Sequence, residues 1–297
     1  MRVAMLGLGA MGAAIARRLE TTGAELRAYN RTPQRGQEFV ERGAVLAVTP
    51  AEAGDGADIA ISMLADGPAV EAVLCGPDGL LAADAPPPIV IDMSTIDVQA
   101  SARVAEAARV RGVAFLRAPV SGNPGVVAAG NLTILVSGDP DAFARARPVL
   151  EAVGPTLLYL GDAEQARVMK LALNVMVGGT TQLLAEALVL GESYGLGREQ
   201  MLDVIGASVV GSPFVKYKAG PLAGDDYTTT FSASLMHKDL RLVVECSNSA
   251  GVPVPVTALV QQLLQACIGS GMGDLDFSVL VPRLAREAGL MPALPTA

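Results

Sequence analysis

Near the N-terminus, Gly7-Leu8-Gly9-Ala10-Met11-Gly12 sets three glycines at the spacing G-x-G-x-x-G. Between a strand and a helix, this spacing makes a cradle for a dinucleotide. The first glycine permits the tight turn, the second lets the pyrophosphate approach the backbone, and the third lets helix and strand pack closely. The unpaired N–H groups at the helix start face the phosphates. A plain glycine turn is the competing reading, and the apolar run Val3 to Leu6 before it with the helical pattern after it favour the cradle. The next strand ends at Tyr29, where an NAD-selective site presents a carboxylate to the ribose hydroxyls, but Asn30-Arg31-Thr32 follows instead. A guanidinium pairs with a 2′-phosphate, and Asn30 and Thr32 can donate hydrogen bonds to it, so NADP(H) is expected in preference to NAD(H). An ordinary exposed loop arginine is the alternative for Arg31.

Few other residue types suggest chemistry. His237 is the only histidine, which rules out multi-histidine metal sites, and Cys75, Cys246 and Cys267 lack Cys-x-x-Cys spacing. Metal-free chemistry and reduced thiols are the expectation. The net charge of −8, with basic residues scattered along the chain, argues against nucleic acid as a partner. Mean hydropathy is +0.41, yet the most apolar long stretch, Leu171 to Leu190, contains Asn174, Gln182 and Glu186 and follows Lys170. No membrane span is expected, and Met1 to Leu6 runs into the glycine turn without room for a signal sequence, which points to the cytoplasm.

The elements that must position these residues alternate in the first half. Val3 to Leu6, Leu26 to Tyr29, Ile59 to Leu64, Ile89 to Ile91, Val113 to Leu116, Leu132 to Val136 and Thr156 to Leu160 read as strands separated by helical patterns. This predicts an α/β fold with a doubly wound, mostly parallel Rossmann sheet. Asp139-Pro140 reads as an N-cap followed by proline at the first helical position. After Gly161 the strand signal ends, and 163 to 194 reads as one long helix, stopped by Gly195. Further helical patterns cover 198–207, 232–250, 255–268 and 277–288, with 291–297 as a loose tail. The expected division is a cofactor-binding domain over 1–162 and an all-helical substrate and dimerisation domain over 163–297 that begins with the long helix. Gly178-Gly179 within that helix suggests close packing, which a second subunit could supply.

Asp92-Met93-Ser94-Thr95, Ala118-Pro119-Val120-Ser121-Gly122, Lys170 with Asn174, and Lys238-Asp239-Leu240 stand in order behind the glycine run. Together they resemble the β-hydroxyacid dehydrogenase family, which includes 3-hydroxyisobutyrate dehydrogenase, tartronate semialdehyde reductase and glyoxylate or succinic semialdehyde reductases. The resemblance spans nearly the whole chain. It implies hydride transfer between a nicotinamide and a small 3-hydroxy acid or semialdehyde, and a homodimer or homotetramer. In this family Lys170 would be the catalytic acid/base and Asn174 its substrate-orienting partner. Ser121 and Gly122 would bind the substrate carboxylate, Thr95 and Lys238 would lie beside the nicotinamide half, and Met63 and Leu64 would wall the adenosine side. Core packing is an equal reading of Met63 and Leu64. Lys170 and Asn174, four apart, share one face of a helix, although a solvated lysine near a helix start is the alternative. Where the family commonly has Asp-Ala-Pro-Val-Ser-Gly-Gly, this chain has Arg117 first and Asn123 last, and Asn123 adds a side chain beside the carboxylate loop. Competing readings are an imine reductase on the same scaffold, which typically lacks the lysine, and a non-catalytic cofactor-binding protein.

Overall fold

Residues 1–290 are described by a computed structural model, and the expected tail from Met291 lies outside them. The central strands of the first half bury both faces, as a sheet covered by helices on both sides requires. Val3 and Met5 of β1 (Arg2–Leu6) enter one apolar cluster, and Ala4 and Leu6 enter the other. β2 (Glu25–Tyr29), β3 (Val45–Leu46), β4 (Ile59–Ser62), β5 (Ile89–Asp92) and β6 (Ala114–Arg117) complete a parallel sheet of order β3-β2-β1-β4-β5-β6. This is the Rossmann order, with its reversal beside β1, where ligands bind at the strands' C-terminal ends.

The helices of this unit are α1 (Ala10–Glu20), α2 (Gln37–Val40), α3 (Pro50–Gly54), α4 (Gly67–Cys75), α5 (Val98–Val110), α6 (Pro124–Ala128) and α7 (Pro140–Val153). Ile15 and Leu19 of α1, with Val149 and Val153 of α7, cover one face; Val70 and Leu74 of α4, with Val104 of α5, cover the other. Asp139 caps α7 as its sequence suggests, its side chain accepting from Ala142 N at 2.7 Å.

Two of the expected strands lie outside the six-stranded sheet. β8 (Thr133–Val136) and β9 (Thr156–Tyr159) form a smaller sheet with β7 (Val120–Ser121), which pairs antiparallel to β8. Arg117 and Ser137 exchange backbone hydrogen bonds of 2.9 Å, so the chain turns over directly after β6. At two residues each, β3 and β7 are too short to show an alternating pattern.

The chain divides into two compact units, Met1–Lys170 and Leu171–Ala297, and the boundary falls inside α8 (Gln165–Ser193). α9 (Arg198–Ala207), α10 (Pro213–Ala223), α11 (Ala233–Ala250), α12 (Pro255–Cys267) and α13 (Leu280–Glu287) follow. Leu184 and Leu188 of α8 pack with Met236, Leu240 and Val243 of α11 and with Leu264 of α12. By length and composition α8 could cross a membrane, but it buries Asn174, Thr181 and Gln182 within the protein, the mark of a core helix. Gly178 lies against Leu240, where an added Cβ would come within 3.1 Å, while the Cβ position of Gly179 is open. α10 is clasped by Lys218, whose Nζ lies 2.8 Å from each carboxylate oxygen of Asp276. Burial pushes the Asp276 carboxyl up, but the Lys218 ammonium and the Ser278 hydrogen bonds outweigh it and hold the group below the usual carboxylate range.

The first turn of α8 is fixed to the Rossmann sheet by a buried ion pair. Arg167, 1% exposed, binds the carboxylate of Asp92 at the end of β5 and donates to the backbone oxygen of Ser94 and to Ser101 Oγ. Removing one member of a buried pair leaves the other uncompensated, at a cost of about 3–5 kcal/mol. Arg167→Met should lower stability in urea denaturation by about that amount, whereas Arg109→Ala, at an exposed pair on α5, should stay within about 0.5 kcal/mol. Equal small losses for both would show that Arg167 does not anchor the helix.

Candidate active site

The glycine run forms the turn between β1 and α1. Gly7 donates to Tyr29 O at 2.8 Å and takes φ +97°, a conformation that favours glycine; an added Cβ would also stand 2.4 Å from Met63 O. A Cβ on Gly12 would lie 2.0 Å from Gly7 O, so helix and turn are pressed together at that point. Gly9 is different, because a Cβ there meets nothing within 4 Å. The first internal bond of α1 runs from Ala13 N to Gly9 O, which leaves the N–H groups of Ala10, Met11 and Gly12 without intrahelical acceptors. Gly9 brings no capping side chain to them.

Beside this helix start is a cavity of about 750 Å³ within the first unit, lined by Gly7, Gly9, Asn30, Arg31, Thr32, Met63 and Leu64. Helix N–H groups at one end, an open glycine beside them and apolar walls fit a dinucleotide. Met63 and Leu64 reach this cavity from the end of β4, and Leu64 N donates to Ser94 Oγ at 2.9 Å. Asn30 holds the loop itself: its Oδ1 accepts from Leu8 N at 2.9 Å and its Nδ2 donates to Thr32 O at 2.8 Å. The amide oxygen and one of its two N–H groups are thereby committed to the turn. Arg35, unnoticed in the sequence, lines the same cavity as Arg31, four residues on in the short turn begun by Pro33.

Around the end of β5, Asp92 and Ser94 are fully buried and Thr95 is half-buried. Asp92 Oδ1 accepts from both Ser62 Oγ and Ser94 Oγ at 2.6 Å, and its Oδ2 takes the Arg167 guanidinium. Lys170 stands one turn beyond Arg167 on α8 and is half-buried. Ser121 ends β7 and is half-buried; Gly122 follows with φ +147°, and a Cβ there would lie 2.8 Å from Leu132 Cδ1 and 3.0 Å from Val126 Cγ1. Glycine is therefore required at Gly122 by the backbone and the neighbours alone. Asn123 caps α6, its Oδ1 accepting from Val126 N at 3.1 Å. Arg117 is 8% exposed, donates from Nε to Glu164 Oε1 at 2.9 Å and lies over the Phe115 ring. Its charge is balanced in place by a residue just before α8.

In the second unit, Asn174 is 3% exposed and donates from Nδ2 to Asp239 Oδ2 at 2.8 Å. Lys238 Nζ stands 3.0 Å from the other oxygen of that carboxylate. Asp239 thus links two of the residues singled out in the sequence, a role its place in Lys238-Asp239-Leu240 did not disclose. The neighbouring His237 is held below its ordinary pKa by partial burial and by Arg241, so it is neutral at pH 7.

Residues 2–161 match the family described as the NAD binding domain of 6-phosphogluconate dehydrogenase, and residues 165–284 match the NAD-binding domain of NADP-dependent 3-hydroxyisobutyrate dehydrogenase. The 3-hydroxyisobutyrate dehydrogenase of Pseudomonas aeruginosa is 36% identical, over 93% of this chain and 96% of that protein. Glyoxylate/succinic semialdehyde reductase 1 of Arabidopsis thaliana is 32% identical, over 95% of this chain and 97% of that protein. The structure of Mycobacterium tuberculosis 3-hydroxyisobutyrate dehydrogenase with L-serine superposes with a TM-score of 0.85 at 31% identity, covering 95% of this chain and 98% of that one. An imine reductase from Pseudomonas sp. covers 95% of this chain and 99% of its own, with a TM-score of 0.61 at 24% identity, and shares the fold alone.

The three glycines of the cradle should separate in experiment. Gly9→Ala should fold with an unchanged thermal midpoint yet bind NAD(P) at least tenfold more weakly, because its new methyl group meets only what enters the cavity. Gly7→Ala and Gly12→Ala should lose stability, because theirs meet backbone oxygens. Unaltered cofactor affinity in Gly9→Ala by fluorescence titration would remove the pyrophosphate from this turn.

Proposed function

The chain belongs to the β-hydroxyacid dehydrogenase family of NAD(P)-dependent oxidoreductases, and from that membership we propose that it interconverts a small 3-hydroxy acid and its semialdehyde with NADP(H), Lys170 moving the proton. One observation carries the proposal. Arg167 ties the first turn of α8 to Asp92 and Ser94, at the C-terminal edge of the parallel sheet onto which the glycine cradle also opens. Lys170 follows one turn further along the same helix, and ligands of this fold bind at that edge of the sheet, which supports the reading.

The nicotinamide, when bound, supplies or accepts the hydride. Hydride delivery to a carbonyl leaves an alkoxide that must gain a proton, and Lys170 supplies it from the ammonium. Oxidation uses the neutral amine. A free lysine titrates near 10.4, so the neutral amine is the minor form at pH 7 unless its surroundings favour it. Ser121 offers a hydroxyl and Gly122 a backbone without a side chain to the substrate carboxylate. Asn174 orients the substrate, its amide fixed by Asp239. Thr95 and Lys238 are assigned to the nicotinamide half on the family pattern. Preference for NADP(H) rests on Arg31 and Arg35 lining the cavity just past β2, with no acidic residue among 30–32.

Arg31→Ala removes one charge-assisted contact, worth roughly 1.5–3 kcal/mol, and should weaken NADPH by about tenfold to a hundredfold while NADH changes little. Equal losses for the two cofactors would sink the preference. Lys170→Met should lower kcat by about 10² to 10⁴ with NADPH affinity retained, measured by absorbance on a panel of semialdehydes, glyoxylate and cyclic imines. A variant retaining more than about a tenth of wild-type kcat on the best hydroxy acid falls below that range and excludes Lys170 as the proton donor.

A further inference from the structure

Within the second unit, one carboxylate gathers three stretches of chain. Asp276, buried in the segment between α12 and α13, takes Lys218 Nζ at 2.8 Å on each oxygen. It also accepts from Thr230 Oγ1 at 2.8 Å and Thr230 N at 3.3 Å, and from Ser278 N at 3.0 Å and Ser278 Oγ at 2.7 Å. Lys218 belongs to α10, and Thr230 to the link 224–232 that leads into α11. The backbone follows the side chain, since Asp276 N donates to Tyr227 O at 2.9 Å and Phe277 N to Phe231 O at 3.1 Å. The link is held along its second half. The cluster takes no part in the hydride or proton step.

The start of α11 depends on the same stretch. The first N–H groups of a helix lack intrahelical acceptors. Here Ala233 N donates to Leu275 O at 2.9 Å, Ser234 N to Gly273 O at 3.0 Å, and Leu235 N to the capping Ser232 Oγ at 3.2 Å. Two of the three are thus tied to backbone directly ahead of Asp276, and a helix fixed in this way can neither slide nor turn about its axis. In its next turn stand Lys238 and Asp239, and Asp239 holds the amide of Asn174 at 2.8 Å.

We propose that Asp276 is a positioning residue for the substrate-orienting amide of Asn174: it fixes the start of α11, α11 sets Asp239, and Asp239 sets the amide. The inference rests on the role given to Asn174 under the proposed function. The Lys218 ammonium keeps Asp276 ionised, so both oxygens act only as acceptors, as the surrounding donors require. An amide in its place would turn a donor toward Thr230 N–H and lose that contact. Asp239 is itself buried, so a small rotation of α11 carries its carboxylate, and the Asn174 amide with it, away from their places. Misplacing a substrate-orienting group by about 1 Å costs on the order of 10²-fold in rate.

Asp276→Asn alone would strand the Lys218 charge, so it is made together with Lys218→Met, which leaves the site neutral and keeps a contact with the Phe277 ring. The double variant should melt within a few degrees of wild type. Its amide hydrogens at Ala233 and Ser234 should nevertheless exchange at least about tenfold faster, read without substrate. The KM for the best-reduced semialdehyde should rise about tenfold to a hundredfold with NADPH affinity unchanged. Thr230→Val leaves both buried charges in place and should move both readouts the same way by less, which tests the same link should the double variant fail to fold. In an Asn174→Ala background the KM penalty should vanish, because both substitutions act through one amide. Unchanged exchange at Ala233 and Ser234, or an equal KM penalty with Asn174 present and absent, overturns the inference. An Asn174→Ala chain with wild-type KM overturns instead the orienting role of Asn174, on which the inference rests.

Discussion

Two opposite charges, both withdrawn from water, hold the first turn of α8 in register with the parallel sheet. Asp92 is fully buried at the end of β5 and Arg167 is 1% exposed in the first turn of α8. Taking either charge out of water alone costs several kcal/mol, so neither position is tolerable without the other. The remaining hydrogen-bonding capacity of the pair is spent on its surroundings: Ser62, Ser94 and Ser101 supply hydroxyls, and the backbone of Ser94 takes part of the guanidinium. An aspartate at the tip of a central strand and an arginine facing it from a long helix leave the helix start little freedom to slide. A neutral apolar contact would hold α8 against the sheet, but only a directional network fixes its rotation, and rotation decides where the residue one turn later stands.

A second ion pair secures the approach to the same turn. Arg117 leaves β6 directly before the chain reverses, and Glu164 lies immediately ahead of α8. From the sequence Arg117 is an anomaly, a cation where related chains commonly carry an acid beside the substrate loop. Its burial, its pairing with Glu164 and its place over Phe115 identify it instead as part of the scaffold. Asn123 undergoes a similar change of meaning, because its side chain closes the start of α6. Both departures are engaged in local packing and capping contacts.

Much of this was legible in the residue pattern, and the reasons differ between elements. Alternation between the two faces of β1, β4 and β5 is written into the order of valines, isoleucines and alanines, and a helix of 29 residues with a glycine stop at Gly195 announces itself by length. β3 and β7 were not legible, since a pair of residues has no period. α10 was passed over because Gly220 and Pro221 break its later half, although Ser212 before Pro213 is an ordinary helix start and the Ser212 hydroxyl does cap Val215 N. Asn30 read as a phosphate donor, whereas its amide is engaged on both sides by the loop it stands in. Such long-range partners lie 22 residues away in Leu8 or 75 away in Asp92, and no local window contains both ends.

What local pattern cannot supply is the sorting of equal-looking residues into different physical roles. Gly7, Gly9 and Gly12 are the same letter in one motif, yet two are required by the protein's own backbone and one only by what enters from outside. Gly122 belongs with the first two, so its presence does not by itself argue for a bound carboxylate. Arg167 and Lys170 are likewise two cations three positions apart on one helix. One is buried and neutralised, and its charge is consumed in holding the helix. The other is half-buried one turn away. The two positions differ in physical state although a local pattern treats them alike, because an ion pair consumes the charge of the first and fixes the turn that carries the second.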